Sequence, residues 1–228
     1  MGKAKGLGFL LGCLVLLGGV SIATQTPVTI VALGDSTTAG TPGFRSPSEA
    51  PPDGVGNPES QYAYWMGQRH PEWKILNRGI NRERSDEILE RLSSDALSHH
   101  PQVLILLAGV NDLFQGNPPE FVIQNLKKMY ERARQQKIQV VACTIIPYNG
   151  MGPTVESRMR EVNGWIRRTA QEQNLAFCDL YHVVENPKHP GTLMTTADGL
   201  HPDVEGYRKM GEALADTLER LLALRSSS

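Results

Sequence analysis

Neither sign of charge is in excess in this sequence of 228 residues. Lysine and arginine total 23 and aspartate and glutamate total 24, so the formal net charge at pH 7 is −1. The basic residues also form no long run. Binding to a nucleic-acid backbone requires a basic surface, so a nucleic-acid partner is excluded and any charged ligand must be recognised by individual residues.

Long apolar stretches are equally scarce. Hydrophobic residues make up 40% of the chain and charged residues 21%, which excludes a disordered chain and a protein that crosses a membrane repeatedly. The one long apolar run, residues 7–23, follows Lys3 and Lys5 and ends in small residues at Ala23. This pattern is typical of a signal peptide. It predicts that residues 1–23 are removed and that the protein is exported, either to the periplasm or as a secreted protein.

Two other interpretations of this segment stay open. An uncleaved anchor, through which alone the protein would contact a membrane, needs about 20 apolar residues, and the run is shorter than that. The stretch from Leu10 to Cys13 resembles a lipoprotein cleavage box, but the sequence after Cys13 stays apolar instead of turning polar. The remaining residues, 24–228, are predicted to form a single domain.

Cysteine is limited to three residues, and none of their spacings matches a zinc site. Removal of a signal peptide would take Cys13 with it. Cys143 and Cys178 lie in apolar, β-branched surroundings, which favours two buried core thiols. An oxidising compartment would permit a disulfide between them, provided that the strand geometry allows it.

Five short, β-branched apolar runs alternate with helical patterns along the rest of the chain. The predicted strands are residues 28–33, 73–76, 103–108, 138–146 and 175–180. The predicted helices begin at Ser85 (residues 85–97), at Pro118 (118–133), at Val155 (155–173) and at Val204 (204–224). This alternation predicts an α/β domain whose mostly parallel sheet is covered by helices on both faces. The irregular stretch 41–60 is long enough to indicate a functional loop.

Ligands of such sheets bind beyond the carboxyl ends of the strands, and the residues there can support acyl transfer. Ser36 follows the first strand at a predicted helix start, which suits a nucleophile; a helix N-cap is the alternative. His201 has Asp198 three residues before it, so Asp198 can orient the ring while His201 accepts the proton of Ser36. A turn that caps the last helix is the alternative for this pair.

A developing oxyanion needs hydrogen-bond donors, and two candidates follow the second and third strands. Gly79 can present its backbone N–H without a Cβ in the way, and Asn111 can offer its side-chain amide. Taken singly, each is an ordinary turn residue. Together with Ser36 and His201 they would lie at one edge of the predicted sheet.

The order Gly34-Asp35-Ser36, then Gly79, then Gly109-Val110-Asn111-Asp112, then Asp198-x-x-His201 resembles the four blocks of the SGNH hydrolases, also called the GDSL esterase/lipase family. The resemblance spans the predicted domain. It implies a flavodoxin-like three-layer α/β/α sandwich with a five-stranded, mostly parallel sheet. It also implies a serine esterase without metal or cofactor, in which Ser36 is nucleophile and donor, Gly79 and Asn111 are donors, and His201 is the base oriented by Asp198.

The substrates that this resemblance implies are small carboxylic esters, either short O-acyl (acetyl) esters of carbohydrate or short-chain and lysophospholipid-type esters. Two alternatives stay open. The same residues can serve an O-acyltransferase that uses an alcohol acceptor in place of water, and the fold can serve as a binding module without turnover. The sequence does not indicate an oligomeric state.

The sequence departs from the family pattern at two places. Thr37 stands where the family name has leucine, and the second block continues from Gly79 with two arginines, Arg82 and Arg84, instead of small residues. One hypothesis is that Arg82 or Arg84 borders the pocket and favours a polar or anionic substrate; solvated residues beside Glu83 are the alternative. Tyr64 is a further candidate for the pocket lining.

Overall fold

A sheet of five parallel strands forms the centre of the protein in a computed structural model that describes Gly2 and residues 27–226. In chain order the strands are β1 (Thr29–Gly34), β2 (Phe44–Arg45), β3 (Val55–Gly56), β4 (Lys74–Gly79), β5 (Val103–Leu107), β6 (Gln139–Cys143) and β7 (Ala176–Cys178). The central sheet has the order β4-β1-β5-β6-β7, and each neighbouring pair in it is parallel. Apart from Gly2, the segment predicted as a signal peptide lies outside the described residues.

Helices pack on both faces of this sheet. In chain order they are α1 (Ser36–Ala39), α2 (Tyr62–Arg69), α3 (Ser85–Glu90), α4 (Leu92–Asp95), α5 (Val110–Phe114), α6 (Pro119–Gln135), α7 (Pro153–Glu172), α8 (Leu180–Val184) and α9 (Val204–Ser226). Two short 3₁₀ helices span Pro58–Ser60 and Leu97–His99. Within the described residues, no helix combines the length and hydropathy needed to cross a membrane.

Alternation along β1 divides the core into two layers. Val31 and Leu33 are fully buried with residues of α3, α6 and α7, whereas Ile30 and Ala32 are fully buried with residues of α2 and α9. Because successive side chains of a strand point to opposite faces, a strand covered on both sides must be apolar throughout. This explains the uninterrupted apolar runs and confirms the predicted three-layer, flavodoxin-like α/β/α architecture.

The strand order fixes where a ligand can bind. After β4 is added on one side of β1, the chain crosses to the other side to form β5. Helices after strands that lie on either side of such a switch point diverge and leave a crevice beyond the carboxyl ends. Gly34, the last residue of β1, pairs with Gly79 of β4 and with Leu107 of β5, so the segments that follow these three strands begin at one edge.

The five predicted strands are confirmed, with different ends. Residues 77–79 continue β4 instead of forming a turn. The fourth predicted strand stops at Cys143, and α8 begins at Leu180, where the last predicted strand was expected to end. Cys143 and Cys178 are register partners on β6 and β7, and both are buried free thiols, so the disulfide that the sequence left open is not formed.

The helix predicted over residues 85–97 is broken into α3, α4 and a 3₁₀ turn. Ser85 is also not its N-cap. The cap is Arg84, whose backbone N–H donates to Glu87 Oε2 at 2.8 Å. Ser85 is instead held by Asp112, which accepts from the Ser85 N–H at 2.8 Å and from its Oγ at 2.7 Å. The reason is tertiary: a buried carboxylate 27 residues away uses the groups that a local cap would have used.

The stretch 41–60 has structure of its own, because β2 and β3 pair as an antiparallel hairpin within it. Ser46 Oγ donates to the backbone carbonyl of Gly79 at 2.5 Å. Glu49 accepts from the backbone N–H of Asn81 at 3.1 Å and from its side-chain amide at 2.8 Å. The hairpin segment is thereby attached to the residues that follow β4.

Candidate active site

Ser36 is the first residue of α1, directly beyond the end of β1. Asp35 is the N-cap of this helix, and its Oδ1 accepts from the backbone N–H of Thr37 at 3.0 Å. The Ser36 N–H lies in the first turn, where no carbonyl of the same helix can accept it. Ser36 is 6% exposed. The strand-to-helix turn therefore holds the hydroxyl in a fixed position with a backbone donor beside it.

Asp35 is almost fully buried behind this turn. Burial raises the pKa of its carboxyl to about 7, although the hydrogen bond from the Thr37 backbone opposes the shift. The negative charge of Asp112 adds to the increase in the Asp35 pKa. A carboxyl with this pKa is only partly ionised at neutral pH, so the helix start beside Ser36 carries a reduced negative charge.

His201 and Asp198 extend from Ser36 as a chain of hydrogen bonds. His201 Nε2 lies 2.9 Å from Ser36 Oγ, although the two residues are 165 positions apart in the sequence. His201 Nδ1 lies 2.7 Å from Asp198 Oδ2. With a proton on Nδ1 donated to this carboxylate, Nε2 is left to accept from the serine hydroxyl. The structure thus brings together the three residues that the sequence predicted as nucleophile, base and orienting carboxylate.

The loop that carries this pair is itself anchored. Asp198 Oδ1 accepts from the backbone N–H groups of Leu200 and His201, each at 2.8 Å. The carbonyl of Gly199 accepts from the backbone N–H of Asn149 at 2.7 Å. Partial burial acts to raise the pKa of Asp198, but the hydrogen bonds from His201 and Leu200 outweigh it and lower the pKa. Asp198 therefore stays ionised and holds the imidazole in one orientation.

Asn111 lies in the first turn of α5, beyond the end of β5. Its Nδ2 donates to the backbone carbonyl of Glu83 at 2.9 Å. An amide nitrogen carries two hydrogens, so this bond orients the group and leaves one N–H for a ligand. Asn111 also lines the same pocket as Ser36 and His201.

The structure does not bring the backbone N–H of Gly79 to this pocket. That N–H donates to Asn77 Oδ1 at 3.0 Å. A Cβ at Gly79 would lie 2.1 Å from the backbone nitrogen of Ala39, so the glycine is needed for the close contact between β4 and α1. The role predicted for Gly79 is corrected accordingly: it is a packing residue, and the next two N–H groups, of Ile80 and Asn81, are also occupied, by Gly34 O and Glu49 Oε1.

The two arginines after Gly79 lie in different surroundings. Arg82 lines the pocket and has a positive φ of 67°. Arg84 does not line it and forms ion pairs with Asp86 at 3.0 Å and Glu87 at 3.9 Å. Tyr64 is not in the lining either; it lies on α2, with its ring edge-on to Trp65 at 5.3 Å. Arg82 therefore remains a candidate for a substrate contact. The predicted contacts of Arg84 and Tyr64 with substrate are wrong, because neither residue lines the pocket.

A pocket of about 780 Å³ opens beside Ser36. Its lining is Ser36, Thr37, Thr41, Asn81, Arg82, Val110, Asn111, Phe114, Gln115, Ile146, Tyr148, Leu200 and His201. The sequence reading missed its apolar wall, which includes Phe114 and Leu200, two large apolar side chains that are more than 40% exposed. Phe114 is 63% exposed and its ring lies 6.0 Å from that of Tyr148. Both residues are close in the sequence to predicted site residues, Phe114 to Asn111 and Leu200 to His201. This closeness could have indicated that they line the pocket.

One arginine connects the ends of two strands behind the pocket. Arg91 donates to the carbonyl of Gly34 at 2.9 Å, to that of Arg78 at 2.8 Å and to Glu83 Oε2 at 2.6 Å. Because the backbone carbonyl of Glu83 accepts from Asn111, this arginine also fixes the residue that orients the Asn111 amide.

Among the described residues, no group of three or more histidine, cysteine or acidic side chains is placed to hold a metal ion.

Comparison with known proteins identifies the family. The model of the GDSL-like Lipase/Acylhydrolase family matches residues 32–209. An arylesterase from Vibrio mimicus is 26% identical over 209 residues, which cover 92% of this chain and 97% of the relative. A member of the lipolytic protein G-D-S-L family from Veillonella parvula has a TM-score of 0.72 at 21% identity, over 85% of this chain and 99% of that one.

An acetylxylan esterase from Geobacillus stearothermophilus has the same fold, with a TM-score of 0.67 at 18% identity over 83% of this chain and 93% of that one. The two structural similarities agree with the strand order, and the family match spans the segments that carry Ser36, Asn111, Asp198 and His201. The chain thus belongs to the GDSL-like Lipase/Acylhydrolase family of serine ester hydrolases.

Proposed function

We propose that this protein hydrolyses carboxylic esters through an acyl-enzyme formed on Ser36. The observation that carries the proposal is the hydrogen-bonded chain from Ser36 through His201 to Asp198, with contacts of 2.9 and 2.7 Å, at the wall of an open pocket. A serine hydroxyl is a weak nucleophile unless a base takes its proton, and an oriented imidazole provides that base.

In the proposed reaction His201 Nε2 removes the Ser36 proton while Oγ attacks the ester carbonyl carbon. The tetrahedral intermediate then expels the alcohol, which leaves with the proton held by His201, and Ser36 remains acylated. Water, deprotonated by His201, attacks the acyl carbon and releases the acid, and Ser36 Oγ recovers its proton. The ionised Asp198 stabilises the imidazolium in both halves of the reaction.

The carbonyl oxygen becomes negative in the intermediates and needs donors. The Ser36 N–H and the Asn111 amide are two. A third is the Arg82 N–H, which takes the place expected for Gly79: Arg82 lines the pocket, and none of the hydrogen bonds between described residues uses its N–H. Donors fixed before the reaction stabilise the developing charge without reorganisation.

Asn111→Ala is expected to lower kcat by about 10²- to 10³-fold, because one oxyanion donor is lost in the transition state. KM should change little, since the donor acts mainly on charge that develops after binding. Steady-state hydrolysis of p-nitrophenyl acetate measures both constants. Asn117→Ala removes an amide just beyond α5 that does not line the pocket, and it should leave kcat unchanged. Equal effects of the two variants would contradict the assignment.

The apolar wall supports esters with a short alkyl or aryl portion as substrates. Phe114, Tyr148 and Leu200 contribute large apolar surfaces to the pocket lining. The similarity to an arylesterase agrees with this choice. Acetyl esters of carbohydrate, suggested by the acetylxylan esterase of the same fold, would gain less from such a wall, so we place them second. Export of the enzyme remains part of the proposal and rests on residues 1–23 alone.

Phe114→Ala is expected to lower kcat/KM for p-nitrophenyl hexanoate by about five- to tenfold, because the acyl chain loses part of an apolar surface. The acyl group of p-nitrophenyl acetate is too short to cover that wall, so its kcat/KM should change less than twofold. A twofold change corresponds to about 0.4 kcal/mol. Val55→Ala is the matched control, since Val55 is 55% exposed on β3 and lies outside the pocket lining. A Phe114→Ala effect independent of acyl length would contradict this role.

Product analysis tests the proposed function as a whole. We expect free acid as the main product with p-nitrophenyl esters, and stoichiometric labelling by a fluorophosphonate that peptide mass mapping assigns to Ser36. Transfer of most of the acyl group to added glucose or glycerol would instead identify an acyltransferase. A folded protein that neither labels nor turns over any ester would identify a binding module.

A further inference from the structure

Among the residues that the structure describes, Arg82 carries the one formal charge in the lining of the active-site pocket at neutral pH when His201 is neutral. None of the thirteen lining residues is aspartate, glutamate or lysine, and Arg82 is the arginine among them. The lining therefore carries one positive charge although the whole chain has a net charge of −1. A ligand with a negative group would be attracted to that charge.

The acidic residues near Arg82 in the sequence already have partners: Glu83 accepts from Arg91, and Asp86 and Glu87 both accept from Arg84. Glu49, from the hairpin segment, is occupied by Asn81. In contrast, no hydrogen bond or ion pair within the described part of the chain occupies the Arg82 guanidinium. An arginine without an internal partner, at the wall of a pocket, is free to bind a ligand.

The backbone at Arg82 is held in a conformation that side chains other than glycine rarely adopt. Its φ of 67° lies in the left-handed region. The residues on both sides are fixed: Asn81 by Glu49 and Glu83 by Arg91, with Asn111 bound to the Glu83 carbonyl. Such strain persists where the surroundings impose it, and it is concentrated at functional sites. The fold therefore fixes the backbone from which the Arg82 side chain extends at the pocket.

From these three observations we propose that Arg82 determines specificity, selecting esters that carry a carboxylate or phosphate group on their alcohol portion. The inference rests on the proposed ester hydrolysis at Ser36 and deepens it. The substrate class is an amphiphilic anionic ester. Its acyl portion contacts the apolar wall of Phe114, Tyr148 and Leu200, and the anionic group on its alcohol portion binds the Arg82 guanidinium.

The chemistry of the guanidinium favours this class. Its planar N–H groups can donate two parallel hydrogen bonds to the oxygens of a carboxylate or phosphate. Arg82 is exposed, so water and salt weaken the interaction. We expect a selectivity effect of about tenfold, the equivalent of one well-formed but solvated charged contact.

Three matched pairs of esters test the proposal. The carboxylate pair is p-acetoxybenzoate against p-acetoxybenzamide, and the phosphate pair is p-acetoxyphenyl phosphate against p-methoxyphenyl acetate. A third pair, the mono-p-nitrophenyl ester of adipic acid against p-nitrophenyl hexanoate, moves the anion to the acyl side. The measured quantity is the ratio of kcat/KM for the anionic ester to that for its neutral partner. Differences in intrinsic ester reactivity cancel when this ratio is compared between variants.

Arg82→Gln keeps the backbone N–H and most of the side-chain length and removes the charge. We expect it to lower the anionic-to-neutral ratio about tenfold for one or both alcohol-side pairs and to leave the ratio of the acyl-side pair unchanged. The pair that responds distinguishes carboxylate from phosphate. Arg84→Gln, which removes an arginine paired with Asp86 outside the pocket, should leave all three ratios unchanged. About 0.5 M NaCl should reduce the wild-type ratio toward that of Arg82→Gln.

Several outcomes would overturn the proposal. They are an unchanged ratio in Arg82→Gln for both alcohol-side pairs, an equal change in Arg84→Gln, or a response confined to the acyl-side pair. Arg82→Gly relieves the backbone strain without restoring the charge. If its ratio equals that of the wild type, backbone geometry and not the guanidinium sets the selectivity. Failure of the proposed function is distinguishable, since it would appear as absent turnover of the neutral esters and absent labelling of Ser36.

Discussion

Replacing Ser36 with alanine is expected to lower kcat for p-nitrophenyl acetate by about 10⁵-fold or more and to abolish fluorophosphonate labelling. In the proposed reaction this hydroxyl forms the acyl-enzyme, and its Oγ lies 2.9 Å from Nε2 of the base His201. The pocket and the remaining donors stay intact, so some acceleration over water should persist. KM should change little for the same reason.

His201→Ala should give a loss of similar size, because removal of the base leaves Ser36 protonated. The double variant should be no worse than either single variant, since residues that act as one unit are not additive. His189→Ala is the control, as His189 is an exposed histidine outside the pocket lining. Thermal unfolding of each variant separates lost chemistry from lost folding. Retention of more than about a tenth of wild-type activity in Ser36→Ala would contradict an acyl-enzyme on this residue.

The fold was largely predictable because burial on both faces imposes apolar character on each central strand. That signal is strong in Ile30, Val31, Ala32 and Leu33, which are all fully buried. It fails at strand ends. Asn77 is polar, and an asparagine after an apolar run predicts a turn. In the structure its side chain is buried and accepts from the Gly79 N–H, so β4 continues past it. Whether a polar residue ends a strand depends on a partner that the sequence does not specify.

The positions of the candidate catalytic residues were predictable for a related reason. Ser36 and Asn111 follow strands whose carboxyl ends share one edge, and His201 lies three residues from the carboxylate that orients it. The assignment of Gly79 failed because its N–H is used by a nearby side chain. Similarly, Arg82 and Arg84 look equivalent in the sequence. Only the structure separates the pocket residue from the one whose charge Asp86 neutralises.

The apolar wall shows the limit of local sequence reasoning most clearly. Phe114 belongs to α5 after β5, Tyr148 follows β6, and Leu200 lies in the loop before α9. Each is separated from the next by more than 30 residues, so no helical or strand periodicity in the sequence relates them. Their convergence is a consequence of the strand order, which brings the segments after β5 and β6 next to the His201 loop.

Asp198→Asn is expected to lower kcat by about 10⁴-fold while KM stays nearly constant. The substitution keeps the size of the side chain, and its amide oxygen can still accept from the backbone N–H groups of Leu200 and His201. The amide nitrogen would then face His201 Nδ1 and donate to it. This favours the tautomer with the proton on Nε2, which cannot accept the proton of Ser36.

Comparison with Asp203→Asn makes the Asp198→Asn test specific. Asp203 caps the start of α9, where its Oδ1 accepts from Gly206 at 3.0 Å and from Thr195 at 2.7 Å, and it does not line the pocket. Asparagine caps helices about as well as aspartate, so this variant should keep its activity and stability. Unchanged kcat in Asp198→Asn would show that His201 needs no carboxylate. A comparable loss in Asp203→Asn would place the effect in the loop instead of in the proton on the ring.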